Sequence, residues 1–116
     1  MGRGQKPGAG ALALGAGLGL LMLGGCGQPR PAVNSCLAGV EANALPQALD
    51  RCNAVVAAYP RDPRPLNDRF LLHTLLQHKT AACADIQRAA ELSQGQGKTV
   101  PQDLQDEIQV RLDSCH

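Results

Sequence analysis

Two aromatic rings have to serve this whole chain. Tyr59 and Phe70 stand alone, with no tryptophan, among 116 residues. A core without rings must be filled by Leu, Ala, Val and Ile. Such a core suits thin, closely packed helices better than a β-sandwich, whose strands favour aromatic and β-branched side chains. No segment alternates convincingly between apolar and polar residues. Several repeat apolar residues at steps of three and four, the period of a helix face. The expected fold class is therefore all-α.

The N-terminus is not part of that fold. Met1 to Pro7 carries Arg3 and Lys6 and no acid, and Gly8 to Leu23 is uncharged and rich in Ala, Leu and Gly. Small residues Gly24 and Gly25 follow, which completes the three-part pattern of a secretory signal. An apolar run of roughly 16 residues is short for a membrane span, which needs about 20. Residues 1–25 are accordingly expected to be a removable signal.

Within that pattern, Leu23-Gly24-Gly25-Cys26 resembles the lipobox of bacterial lipoprotein precursors. The resemblance covers the first 26 residues. It implies diacylglycerol transfer to the Cys26 thiol, cleavage before Cys26 and acylation of the new amino group. Several acyl chains give stable membrane anchoring where one gives only marginal binding. It places the mature protein on the cell envelope, facing the periplasm or exterior. Gly27, where an Asp would signal retention, points to an outer membrane if the cell has one. Cysteine parity agrees: lipid on Cys26 leaves Cys36, Cys52, Cys83 and Cys115, an even four out of five. In an oxidising compartment these are expected as two disulfides, with three connectivities open.

Residues 26–34 read as the lipidated cysteine and a tether, since Pro29 and Pro31 interrupt a stretch without apolar periodicity. At ~3 Å per residue this stretch reaches roughly 20–25 Å from a lipid surface. Residues 35–116 form the expected domain, with about five short helices. Asn34 or Ser35 suits the cap of a first helix to about Ala44. A second follows Pro46, carries Ala48, Leu49, Cys52, Val55, Val56 and Tyr59 on one face, and ends at Pro60. Asp62-Pro63 starts a third, to about Gln77. Thr80 is the expected cap of a fourth, to about Ser93, and Gln94–Lys98 a loop. Thr99 and Gln102 resemble a capping box for the last helix, which aligns Leu104, Ile108, Leu112 and Cys115.

A weak self-similarity runs at a period of 34, pairing Ala48 with Ala82, Cys52 with Ile86 and Val55 with Ala89. This spacing resembles the tetratricopeptide repeat: one to one and a half repeats as antiparallel hairpins plus a closing helix. Arg69, Phe70 and His73 depart from the repeat's pattern. The resemblance implies the pairings Cys36–Cys52 and Cys83–Cys115, because those residues would face each other across adjacent helices. It also implies a binding surface at the outward places Arg64, Asn67, Leu71, Thr74 and Leu75, where Leu71 and Leu75 form a small apolar strip. A plain disulfide-stapled array of helical hairpins is the simpler alternative.

The sequence offers little chemistry beyond this. Without residues 1–25 the chain has nine basic against ten acidic residues. It has no basic run and no aromatic platform, which argues against nucleic-acid binding. His73 and His78, five apart, are expected to splay instead of sharing one helix face and to straddle the turn after the third helix, and no paired metal-ligand spacing is present. Neither a metal, a cofactor, a small-molecule substrate nor an enzymatic constellation is evident. The expected role is a membrane-anchored module for protein–protein interaction or assembly with an unknown partner. The alternatives are a structural envelope lipoprotein without a discrete groove and, further off, an enzyme or metal-handling protein.

Overall fold

Consecutive amphipathic segments fold back on one another as the periodicity requires. The computed structural model describes residues 29–116. The expected signal and the expected lipidation site Cys26 lie outside the described residues. Within them, Pro31–His116 forms a compact unit. Its helices are α1 (Leu45–Ala58), α2 (Pro63–Leu75), α3 (Lys79–Gln96) and α4 (Gln102–Asp113), with one-turn 3-10 helices at Ala42–Ala44 and Gly97–Thr99. There is no strand among the described residues. The protein is all-α and disulfide-stapled, with α1 on α2, α2 on α3 and α3 on α4.

Four α-helices form where about five were expected, because residues 35–44 do not make one. They run as turns into the Ala42–Ala44 3-10 helix. Gly39 sits at φ +62°, the left-handed region that breaks a right-handed helix. Ser35 directs both its N–H and its hydroxyl to the Ala32 carbonyl. Arg51 of α1 donates to the carbonyls of Ala38 (2.9 Å) and Ser35 (3.4 Å) and so replaces part of the missing helical ladder. A segment this short could not hold a helix by propensity alone.

The other boundaries have local causes. Tyr59 leaves the helical region because the following Pro60 disfavours it. The Asp62 carboxylate accepts the Arg64 N–H at 3.0 Å, and Pro63 occupies the first helical position. At the other end of α2, His78 N–H donates to the His73 carbonyl (2.8 Å) and Gln77 N–H to that of Thr74 (3.0 Å). These two bonds define a Schellman closure, and Gln77 takes its left-handed position at φ +62° where Gly is usual. The closure leads straight into α3, so Thr80 lies inside that helix instead of capping it. Helix α3 runs past Ser93 to Gln96 and takes up three of the five residues of the expected loop. Gly97, at φ 56° and ψ −125°, then stops it in a conformation essentially restricted to glycine. The expected capping box does not form: the Thr99 hydroxyl donates to the Gln96 carbonyl (2.9 Å), and Pro101 precedes α4 without a side-chain cap.

Two apolar clusters make the core. The first joins Cys36, Ala48, Cys52, Val55 and Leu72; the second joins Leu66, Phe70, Ala82, Ile86, Ala89, Ala90 and Ile108. Val56 packs against both. The disulfides are Cys36–Cys52, inside the first cluster, and Cys83–Cys115, at the edge of the second. They span 16 and 32 residues, which in the loop-entropy model corresponds to about 3 and 4 kcal/mol of stabilisation. For a domain with so few rings, that is comparable to its whole net stability.

The Gln77 backbone gives a direct check. A non-glycine residue in the left-handed region costs roughly 1–2 kcal/mol, offset in part by the extra unfolded-state freedom that glycine brings. Gln77→Gly is expected to stabilise the domain by about 0.5–1 kcal/mol in urea unfolding. A loss of stability would show that the turn is not held as described.

Candidate functional site

Three helices meet through charges that the apolar stripes would not normally contain. Arg69 of α2 places Nε and Nη2 each 2.7 Å from the two carboxylate oxygens of Asp85 on α3, and Nη1 donates to Asn53 Oδ1 on α1 at 3.1 Å. Asp85 is buried and Arg69 mostly so. The pair is a bidentate fork, the strongest geometry for guanidinium and carboxylate. His73 extends the network: its Nε2 lies 3.7 Å from Asp85 Oδ2. Burial holds the His73 imidazole below its usual pKa, against the pull of the Asp85 charge.

The network ends in a contact that the sequence reading did not anticipate. His73 and His78 were expected to splay apart, yet their Nδ1 atoms are 3.2 Å apart. The cause is the Schellman closure, which normally brings the third residue from the helix end against the second residue beyond it. Those two positions are His73 and His78. Helical phase, from which the splay was expected, does not hold across the turn that separates the two residues.

A second polar cluster lies between α2 and α4. Arg111 donates through Nη1 to the Asn67 backbone carbonyl (3.0 Å) and Oδ1 (2.9 Å), pairs with Glu107, and stands 5.7 Å from the centre of the Phe70 ring. Asn67 Nδ2 donates to Glu107 Oε2 at 3.3 Å. Asn67 was expected on an outward binding surface. It is instead 3% exposed and engaged by α4, because the closing helix covers that part of α2. Beside it, the half-buried Asp68 carboxyl is pushed up to about 6, mainly by burial; Arg111 opposes the shift and Glu107 adds to it.

The remaining outward places are dispersed. Arg64 is exposed and bonded to the Asp62 carboxylate through its backbone and its guanidinium. Leu71 is half-buried, and Leu75 is 60% exposed. Thr74 borders a mainly apolar cavity of about 260 Å³, walled by Phe70, Ala82 and the Cys83–Cys115 disulfide. Among the described residues Val110 of α4, at 70%, and Val40, at 37%, are the other exposed large apolar side chains. Among the described residues no group of three or more His, Cys, Asp or Glu side chains gathers as for a metal ion. No described helix is long and apolar enough to cross a membrane.

Reading the charges by helix period would have found the first network. Arg69 interrupts the Leu66–Phe70–His73 stripe, and Asp85 interrupts Ala82–Ile86–Ala89. Opposite charges inside two apolar stripes are the signature of a buried pair. No family model, curated protein or solved structure matches this chain.

Asp68 generates a pH prediction. In the unfolded chain its pKa is near 3.8, and in the fold about 6. Between those values the folded state holds a proton that the unfolded state has released, so this group's contribution to stability falls as pH rises from about 4 to 6. Asp68→Asn is expected to exceed wild type in stability at pH 7 by on the order of 1 kcal/mol, after solvent screening of a half-exposed group. The difference should disappear below about pH 4. Urea unfolding across this range checks it, and a variant less stable at pH 7 would contradict it.

Proposed function

We propose that this chain is a membrane-anchored lipoprotein whose helical domain serves as a protein–protein interaction or assembly module outside the cytoplasmic membrane. The observation that carries the reading is the pairing of cysteines. Cys36–Cys52 and Cys83–Cys115 take four of the five, and the one left over is Cys26, at the end of Leu23-Gly24-Gly25-Cys26. Two structural disulfides suit an oxidising compartment, which is where an exported lipoprotein resides. Lipid on Cys26 would serve as the anchor, residues 27–30 as the tether and Pro31–His116 as the working body.

The module reading rests on exposed apolar side chains in a domain whose polar clusters are engaged internally. Leu75 on α2, 60% exposed, is the exposed large apolar residue among the places that the repeat resemblance singled out. Arg64, Leu71 and Thr74 lie at half-buried or exposed positions of the same helix. A partner would bury Leu75 and gain the hydrophobic contribution that the isolated domain leaves unused.

Fractionation and in-cell cross-linking test both halves together. Wild type is expected in the membrane fraction, labelled by a fatty-acid probe and cross-linked to a discrete partner. Cys26→Ser should be unlabelled and either released or stalled as an uncleaved precursor. Leu75→Asp should remain anchored and folded but lose the cross-link. A Cys26→Ser protein that stays membrane-bound at mature size contradicts the anchor. An unchanged cross-link in Leu75→Asp contradicts the surface, and the absence of any discrete cross-link in wild type favours a purely structural envelope lipoprotein.

A further inference from the structure

The histidine pair at the α2–α3 turn has a geometry that neither the core nor the proposed binding surface requires. A hydrophobic contact would serve the Schellman closure equally well. Instead two imidazoles face each other through the same atom, with Nδ1 of His73 3.2 Å from Nδ1 of His78 and the ring planes tilted by 49°. Two nitrogen ligands bound at about 2.0–2.1 Å to one tetrahedral ion stand roughly 3.3 Å apart. The pair is therefore already at the separation that a shared ion would impose.

We propose that His73 and His78 form a binding site for a divalent transition-metal ion of the zinc or copper type, held through both Nδ1 atoms. Imidazole nitrogen suits Zn²⁺ and Cu²⁺, whereas Mg²⁺ and Ca²⁺ require oxygen ligands. The remaining coordination positions belong to water, since no third His, Cys, Asp or Glu joins the two rings among the described residues. Two protein ligands give a site of modest affinity that stays open to exchange. His78 is exposed, so the ion has a path from solvent.

Asp85 supports the site from behind. A metal-ligating histidine usually presents its other ring nitrogen to a carboxylate, which fixes the tautomer and the ring orientation. His73 Nε2 lies 3.7 Å from Asp85 Oδ2, an electrostatic contact longer than a hydrogen bond, and Asp85 is itself held by the Arg69 fork. Arg69, the cation in this network, thus directs its charge to Asp85. Without metal, one Nδ1 carries a proton and donates it to the other. With metal, both Nδ1 lone pairs bind the ion and the displaced proton moves through solvent to Nε2 of the same ring. No net proton is released, and His73 then carries its proton on Nε2, the nitrogen 3.7 Å from Asp85 Oδ2.

Titration of the full-length, disulfide-oxidised protein with Zn²⁺ by calorimetry, and with Cu²⁺ by electron paramagnetic resonance, tests this. One ion per chain is expected, with the copper spectrum showing two imidazole nitrogens. His78→Gln alters an exposed side chain and should fold normally; it should weaken binding at least ten-fold. His73→Gln should do the same, whereas His116→Gln should leave affinity unchanged. Zn²⁺ should also raise the thermal midpoint of wild type but not of His78→Gln. Undiminished affinity in His78→Gln, or no detectable binding by wild type, would overturn the proposal and leave the pair as a hydrogen bond between two rings.

Discussion

The Cys36–Cys52 disulfide is the constraint on which the N-terminal half of the domain depends. Both cysteines are completely buried, and they are core residues as much as a cross-link. The Pro65 carbonyl of α2 lies 3.7–3.8 Å from the two sulfurs, so the bond also seats α1 against the start of α2. Residues 35–41 form no helix of their own. They are retained by this bond, by the Arg51 side chain on their carbonyls, and by Tyr59, whose hydroxyl donates to the Pro31 carbonyl at 2.7 Å. Without the covalent link, an irregular segment would have to be ordered by a few hydrogen bonds, against an ordering cost of about 1–2 kcal/mol per residue.

The C-terminal half is organised differently. Its core is made of alanines, Ile86, Ile108, Leu66 and Phe70, with the Cys83–Cys115 bond at its border closing α4 onto α3. The Arg69–Asp85 fork joins the halves, since Arg69 also reaches Asn53 on α1. Such a buried pair is weak evidence for net stability, because desolvation offsets much of the attraction. Removing one partner is another matter, since it leaves an uncompensated buried charge. The fork therefore sets the register of α2 and α3 more than it strengthens them.

Helical periodicity made much of this visible from the residues alone. The aliphatic stripes of α1, α3 and α4, the Pro60 stop and the Asp62-Pro63 start are local signals, and local signals survive folding. What escaped depended on geometry beyond one helix. Gly39 turned an expected first helix into turns, and a Schellman closure without glycine hid the meeting of His73 and His78. Asn67 has the right helical phase for an outward face, but phase does not reveal that Arg111 and Glu107, some forty residues later, will cover it. The cysteine pairing came within reach only through the hairpin spacing, since a count of four leaves three pairings open.

A ring-poor domain of this size depends on its staples, and disulfides persist in an oxidising compartment; the proposed lipid on Cys26 would hold the domain there. The most direct test is mass-spectrometric mapping of all five cysteines in protein isolated from its native cells without reduction. The account predicts Cys36 linked to Cys52, Cys83 linked to Cys115, and an acylated Cys26 at the mature N-terminus. A free Cys26 thiol, Cys26 in a disulfide, or four reduced cysteines in the folded domain would contradict it.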